Sequence, residues 1–377
     1  MTSFGSHCPR VRVFRWWTFD RFSFFFLKLG ALGFGGPLAL VALMQQECVD
    51  RKKWVSAKRF EETFVFCKML PGPIAYQMAL WVGYELKGKW GGLLAGLAFV
   101  LPAAFLLYLF AKFYSSFEGV SAVAPLLSGM RIAALGIIFQ SIVSLFVPYR
   151  KQIGSWIYAL LGAFLMSFFP RWEPLIIVFG GFLSVGVLEL NRNNKLKLSS
   201  GTVLLALFWT HFKAGAFVFG TGLAIVPVLQ KEVVDAFHWL SQEEFLDALS
   251  FGQVTPGPVT TLAAFIGYKA AGEWGSLAAT LGMYTPGALL ILFLLPLIRK
   301  KIESQKGLFA FQAGAIPTVI GCLAVAASQL TMSTLKTPLT GIYFLGLLTV
   351  QFALRPPPWA LILLSGGLHL AFSFFFS

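Results

Sequence analysis

The tripeptide Pro-Gly-Pro occurs twice in this chain, at 71–73 in LPGPIAY and at 256–258 in TPGPVTT, each time between strongly apolar runs and 185 residues apart. Two prolines flanking a glycine remove two backbone donors and end a helix. Hydrocarbon accepts such irregular backbone only where protein or a water-filled cavity satisfies its polar groups. The chain must therefore fold around two shielded interruptions. A shift of the sequence against itself by 185 positions shows that they belong to a longer duplication. Lys28, Gly30, Phe34 and Gly35 align with Lys213, Gly215, Phe219 and Gly220, and Trp54, Ser56 and Phe60 with Trp239, Ser241 and Phe245. After a one-residue slip, Gly83-Tyr84, Gly88, Trp90-Gly91 and Pro102 meet Gly267-Tyr268, Gly272, Trp274-Gly275 and Pro286. Apolar segments match by chance at Leu and Phe, but not at Trp, Gly and Pro in register over the whole chain.

Composition sets the solvent. With 57% hydrophobic and 12% charged residues, the chain reads as an all-α integral membrane protein. The net charge of +14 is spread through short connections and the N-terminal segment, the pattern of the positive-inside bias. Nucleic acid is not expected as a partner, because no aromatic-basic module accompanies the charge. Cys8, Cys48, Cys67 and Cys322 lack CxxC spacing and the four histidines are dispersed, so neither a metal site nor a disulfide framework follows, and no cofactor is expected. Residues 1–21 read as a basic, aromatic interfacial lead-in with Trp16 and Trp17 at headgroup level; 22–197 and 198–377 are the two repeats.

Charge also suggests how the repeats are oriented. The loop at 44–62 has a balance of +1 and its counterpart at 229–247 one of −4; farther on, Lys112 with Glu118 sums to zero, whereas Arg299, Lys300, Lys301, Glu303 and Lys306 sum to +3. The basic face changes sides between the copies, which predicts an inverted repeat and an odd number of crossings per half. Each half has six apolar segments, in the first copy about 22–43, 60–86, 90–114, 120–147, 153–169 and 173–190. The one carrying Pro-Gly-Pro divides into arms too short to cross alone. The expectation is about ten spanning helices plus two re-entrant, broken Pro-Gly-Pro hairpins. It puts the loops at 149–151, 192–197 and 299–306 in the cytoplasm and, against the basic character of the lead-in, the N-terminus outside.

The broken segments suggest an anion site. Half-helices starting at Ile74 and Val259, each with a proline in the first turn, would aim amide ends carrying about half a positive charge at a common pocket near the midplane. Gly35, Gly36 and Pro37, and their counterparts Gly220, Thr221 and Gly222, are expected to break the first segment of each half and expose further N–H groups. With Pro71, Gly72, Pro73, Gln253, Thr255, Pro256, Gly257 and Pro258 they form the candidate substrate site. Lys28, Lys213 and Lys68 join it as intramembrane cations. Glu62 and Asp247, which align, are candidates for ion coupling. The bland alternatives are glycines that pack helices, lysines that snorkel to the interface, prolines that only kink, and carboxylates that are solvated caps.

Phe34-Gly35-Gly36-Pro37, Trp54, Leu70-Pro71-Gly72-Pro73, Gly83-Tyr84, Gly88 and the sequence GQVTPGP at 252–258 resemble the chromate ion transporter family in its two-domain form. The resemblance covers nearly the whole chain. It implies efflux of chromate across the inner (plasma) membrane, driven by the proton motive force and conferring chromate resistance, by two homologous halves of opposite orientation. One departure is Lys68, where the family tends to carry glutamine, as Gln253 does in the second copy. Chromate and sulfate are similar tetrahedral dianions, so a sulfate or other oxyanion transporter, or a passive anion channel on the same scaffold, stands as the alternative. No Walker A pattern is present, and no cluster of catalytic His, Ser or carboxylates lies in the apolar segments, so an enzyme is not expected. A homodimer is the assembly considered.

Overall fold

A computed structural model describes residues 19–34, 36–117, 120–168, 176–177, 200–218, 222–298 and 306–376. Most of those residues are helical, with no strand among them. Residues 1–18 of the 1–21 lead-in, the expected apolar segment at 173–190 apart from 176–177, the proposed boundary at 197/198, the loop at 192–197 and residues 299–305 of the loop at 299–306 lie outside them.

The first half comprises α1 (Phe19–Leu32), α2 (Gly36–Gln45), α3 (Ala57–Met69), α4 (Ile74–Phe117), α5 (Val123–Phe146) and α6 (Ile153–Phe168). The second comprises α7 (Ser200–Ala216), α8 (Val226–Gln230), α9 (Gln242–Val254), α10 (Leu262–Leu289), α11 (Lys306–Thr334), α12 (Pro338–Leu354) and α13 (Pro358–Phe376). Four helical stretches are long and apolar enough to cross a membrane, Ile74–Phe117, Val123–Phe146, Val259–Leu294 and Ala313–Thr334, alongside shorter apolar helices. The protein is a multi-pass membrane protein.

The duplication extends to backbone detail. A wide π turn follows α2 at Gln46–Arg51 and α8 at Lys231–Ala236, the same 185-residue offset as in the sequence. Each turn ends at a left-handed residue, Lys53 (φ 50°) or His238 (φ 52°). Ser56 and Ser241 then cap α3 and α9 by accepting from the third helical N–H, and at α9 Glu244 returns a bond to the Ser241 N–H to complete a capping box. The two 13-residue helices match position for position.

Within α4 the chain reverses. Lys87 and Gly88 leave helical geometry, with Gly88 at φ 67°, and a methyl group placed on Gly83 would strike the carbonyl of Gly91 and the Cβ of Ala95. Residues eight apart in a straight helix would be separated by about 12 Å. Ile74–Leu86 and Lys89–Phe117 are thus antiparallel arms that meet through glycine. The second half repeats this at Ala271-Gly272, where Gly267 packs on Gly275 and Ala279. The short arm also lies antiparallel to the helix before Pro-Gly-Pro: Arg59, at the start of α3, bonds Glu85, at the end of the arm, at 2.8 Å. In the second copy the same place is held with reversed polarity by Glu244 and Lys269, at 2.7 Å.

Glycine also brings α1 and α7 against the long arms: added methyls on Gly30 and Gly215 would collide with the carbonyls of Phe99 and Met283, respectively. The halves interleave. α6 packs on α11 through Gly162 and Gly321, and α5 packs on α13, where Ser365 Oγ donates to the Gly129 carbonyl at 2.6 Å. A side-chain amide pair, Gln140 with Gln351, adds a polar contact between α5 and α12.

Candidate functional site

Four backbone interruptions come together in the interior. Two are the Pro-Gly-Pro turns. α3 ends at Leu70 and α9 at Thr255, both in extended conformation, and the chain restarts at Ile74 and Val259 after a left-handed glycine, Gly72 (φ 130°) or Gly257 (φ 95°). Only glycine takes these angles without strain. Pro258 caps the restarting turn from an extended conformation, so the second proline stands just before the helix and not within its first turn as the sequence suggested. The other two interruptions are the glycine-rich breaks, between Leu32 and Gly36 in the first half and between Ala216 and Leu223 in the second. Gly36 and Gly222 both restart the chain at φ 83°. Gly35, Gly220 and Thr221, named above as candidates, lie outside the described residues.

The interruptions are joined across the halves by a reciprocal pair of hydrogen bonds. The Gly72 N–H donates to the Val218 carbonyl at 2.8 Å, and the Gly257 N–H donates to the Gly33 carbonyl at 2.9 Å. Each donor and each acceptor is the 185-residue counterpart of the other. A buried amide left without a partner costs about 1–3 kcal/mol, so each half completes the other's broken backbone. The two glycine N–H groups are therefore occupied, and the glycine of each turn faces the opposite break. Gly222 approaches Val259 and Thr260, so the second break touches both Pro-Gly-Pro turns. Thr260 shares a 2.8 Å hydrogen bond with Tyr284, whose ring lies 4.7 Å from that of Tyr76. In the first copy Gln77 Nε2 donates to the Pro71 carbonyl at 2.8 Å, while its buried Oε1 has no hydrogen-bond partner among the described residues.

A small cavity of about 40 Å³ opens at this crossing. Gly33, Phe34, Gly36 and Pro37 line it from the first break, Gly252, Gln253, Thr255, Gly257 and Val259 from the second turn, and Pro358 and Trp359 from the start of α13. The N-terminal ends at Gly36, Val259 and Pro358 and the C-terminal ends of α1 and α9 meet here, about half a net positive charge by the half-charge rule. Of the two amide ends that the sequence aims at a common pocket, Val259 lines this cavity and Ile74 is not among its lining residues.

The charged candidates lie elsewhere. Lys28 is exposed on α1, and Lys68 is exposed with its ammonium 4.4 Å over the Phe64 ring. Lys213 bonds Glu232 at 2.6 Å. Glu62 is exposed, whereas Asp247 is fully buried. Asp247 receives Nε of Arg131 at 2.6 Å, Nη2 of Arg131 at 2.7 Å and the Tyr114 hydroxyl at 2.6 Å; Nη1 of Arg131 reaches Glu243 at 2.7 Å. Arg131 and Tyr114 were not singled out in the sequence. The signal was available, since Arg131 is the lone charged residue between positions 119 and 149 and an arginine within an apolar segment is a functional candidate by default.

The family model described as Chromate transporter matches this chain twice, over residues 21–185 and 205–370. The chain is similar to a probable chromate transport protein of Synechococcus elongatus, with 32% identity over 346 residues that cover 84% of this chain and 86% of the other. It is similar to a chromate transport protein of Cupriavidus metallidurans, with 31% identity over 361 residues, 90% of this chain and 88% of that one. A chromate transport protein of Pseudomonas aeruginosa is 28% identical over 337 residues, 82% of this chain and 80% of its own. No solved structure matches.

Proposed function

The chain belongs to the chromate transporter family, and from that premise we propose that it is a secondary transporter that exports chromate from the cell, drawing on the proton motive force and conferring chromate resistance. The observation that carries this reading is the reciprocal pair of glycine hydrogen bonds, Gly72 to Val218 and Gly257 to Gly33, which builds one interior centre of interrupted backbone from both halves. Such centres suit a substrate that must shed water and be met by fixed dipoles at membrane depth. The oxyanion would be held by the amide ends at Gly35-Gly36 and at Val259, with Gln253 and Thr255 donating side-chain hydrogen bonds, and by Gly220 to Gly222 in the other copy; Pro71, Gly72 and Pro73, whose one N–H already meets Val218, would set the path of the backbone around it. Lys28, Lys68 and Lys213 would act at a distance, by raising the local anion concentration.

In this reading the halves are inverted, each with five crossings and one re-entrant hairpin, in the inner membrane. The pairing of α3 with the short arm through Arg59 and Glu85, and of α9 with its own through Glu244 and Lys269, supports the hairpins. Asp247 and Glu62 are the carboxylates proposed for proton coupling, and a homodimer is the proposed assembly. Purified protein in proteoliposomes should take up chromate faster when a pH gradient is imposed and lose that gain when the gradient is collapsed. Flux indifferent to the gradient would identify a channel instead.

A second reading is favoured by the cavity itself. Its lining is neutral, made of backbone, Gln253, Thr255 and aromatic carbon, and contains nothing that separates chromate from sulfate. Sulfate flux equal to chromate flux in the same vesicles would make the protein a general oxyanion transporter.

A further inference from the structure

α9 joins two cavities. The small one described above lies at its C-terminal end, at Gly252, Gln253 and Thr255. A larger cavity of about 410 Å³ lies at its N-terminal end, lined by Ser241, Glu243 and Glu244 of α9 and by Tyr114, Leu127 and Arg131 from the first half. Glu243 and Gln253 are ten residues apart, about 15 Å along the helix. Between the cavities every α9 residue from Phe245 to Ser250 is buried. The seal is charged at one point, where Asp247, with no exposed surface, meets Arg131.

Arg131 is placed to serve two sides. Nε and Nη2 take both carboxylate oxygens of Asp247, and Nη1 takes Glu243, which lines the larger cavity, has a 63% exposed side chain and also lies 4.0 Å from Lys336. A guanidinium binds a tetrahedral dianion through the same paired N–H geometry that it offers a carboxylate. The first copy has no counterpart: Glu62 is exposed and the position matching Arg131 is Ile316. The lock is thus one-sided, and it ties α5 of one half to α9 of the other.

We infer that Arg131 is an oxyanion-exchange latch: an oxyanion in the larger cavity takes the guanidinium from Glu243 and Asp247, and the freed α9 opens the way to the cavity at Gln253. The inference rests on the transport reading above, so its test needs no flux. In a background with Cys8, Cys48, Cys67 and Cys322 changed to serine, a single cysteine replaces Gln253 in proteoliposomes. A charged, membrane-impermeant maleimide is applied to the face on which a Glu243→Cys marker reacts. Sulfate serves as the probe anion, with chloride at matched ionic strength as control.

Labelling of Gln253→Cys from that face should be slow in chloride and faster in sulfate, by on the order of tenfold, within the usual range for coupled sites. Arg131→Ala with Asp247→Ala should label fast in both salts. The charge exchange Arg131→Asp with Asp247→Arg should restore protection in chloride and lose the response to sulfate. Tyr114→Phe, which removes one hydrogen bond without stranding a charge, provides a mild variant that tests the latch even where the double alanine variant does not fold; it should label at an intermediate rate. Equal labelling in chloride and sulfate, or Tyr114→Phe indistinguishable from the parent protein, would overturn the latch. Absent chromate flux with sulfate-dependent labelling would instead retain the latch and reject chromate as cargo.

Discussion

α3 and α9 are the same helix twice, yet their surroundings are opposite. Both have 13 residues, begin at a serine cap after a π turn, end in an extended residue before Pro-Gly-Pro, and pair their first turn with the following arm through an ion pair. α9 is buried all round from Phe245 to Ser250 and clamped by Arg131. α3 keeps an exposed stripe of Lys58, Glu61, Glu62, Val65 and Lys68. The stripe follows helical spacing, and its counterparts in α9 are Glu243, Leu246, Asp247, Ser250 and Gln253. A shared backbone template thus carries two roles, one copy bearing charge to water and the other sealing the interior. The difference teaches that the duplication fixed how the chain bends, while a handful of side chains decide which copy is open.

That contrast can be broken, and the largest effect should come from its shared element. Gly257→Ala would force a side chain into φ 95° and set a methyl 3.0 Å from the Ala103 Cβ, with the Gly30 carbonyl at 3.5 Å. Chromate flux at matched expression should be abolished. Gly72→Ala should lose flux as well, but its methyl meets the amide end of Gln77, a side chain, so Gln77→Ala added to it should recover part of the loss. Equal and unrescued losses would mean that both turns fail through backbone strain alone. Pro71→Ala and Pro256→Ala follow in size, since each returns a donor and lets a helix run on; each should impair flux.

The next effect separates the two helices. Asp247→Ala leaves Arg131 without its buried partner and should lower stability in detergent unfolding by about 3–5 kcal/mol, the usual scale for breaking a buried pair. Glu62→Ala, at the matching exposed position, should stay within about 0.5 kcal/mol. Similar losses would show that α3 is covered in the folded protein. Removing one end of a hairpin ion pair should cost less than the Asp247 change, at most about 1 kcal/mol for Arg59→Ala, whose partner Glu85 lies in partly exposed surroundings. Exchanging Arg59 and Glu85 to match the polarity of Glu244 and Lys269 should restore the loss. The smallest effect is expected from Lys68→Gln, which makes the first copy resemble the second at an exposed site; it should shift the chromate-to-sulfate flux ratio slightly, and an unchanged ratio would remove Lys68 from substrate recognition.

Much of this contrast is legible in the sequence itself. Gly, Pro, Trp and Ser mark backbone events, so the breaks, the turns, the serine caps and the reversal at Gly88 and Gly272 all left matching letters in the two copies. Short arms were readable from length. What could not be read was who meets whom. The Gly72 and Gly257 bonds end on carbonyls, which every residue carries, so nothing in Val218 or Gly33 announces them. Lys213 looked like a free intramembrane cation because its partner Glu232 lies on a π turn 19 residues on, a spacing no helical rule anticipates. Asp247 could be suspected from its alignment with Glu62, but its burial depends on α5, a helix of the other repeat.

The crossed glycine bonds have a consequence for how the molecule is made. A ribosome delivers the first repeat with the Gly72 donor and the Gly33 acceptor both unmet, and their mates emerge only when Val218 and Gly257 have been synthesised. Until then that repeat holds raw polar ends in the bilayer, so biogenesis should include a waiting stage that the insertion machinery or lipid-borne water must tolerate.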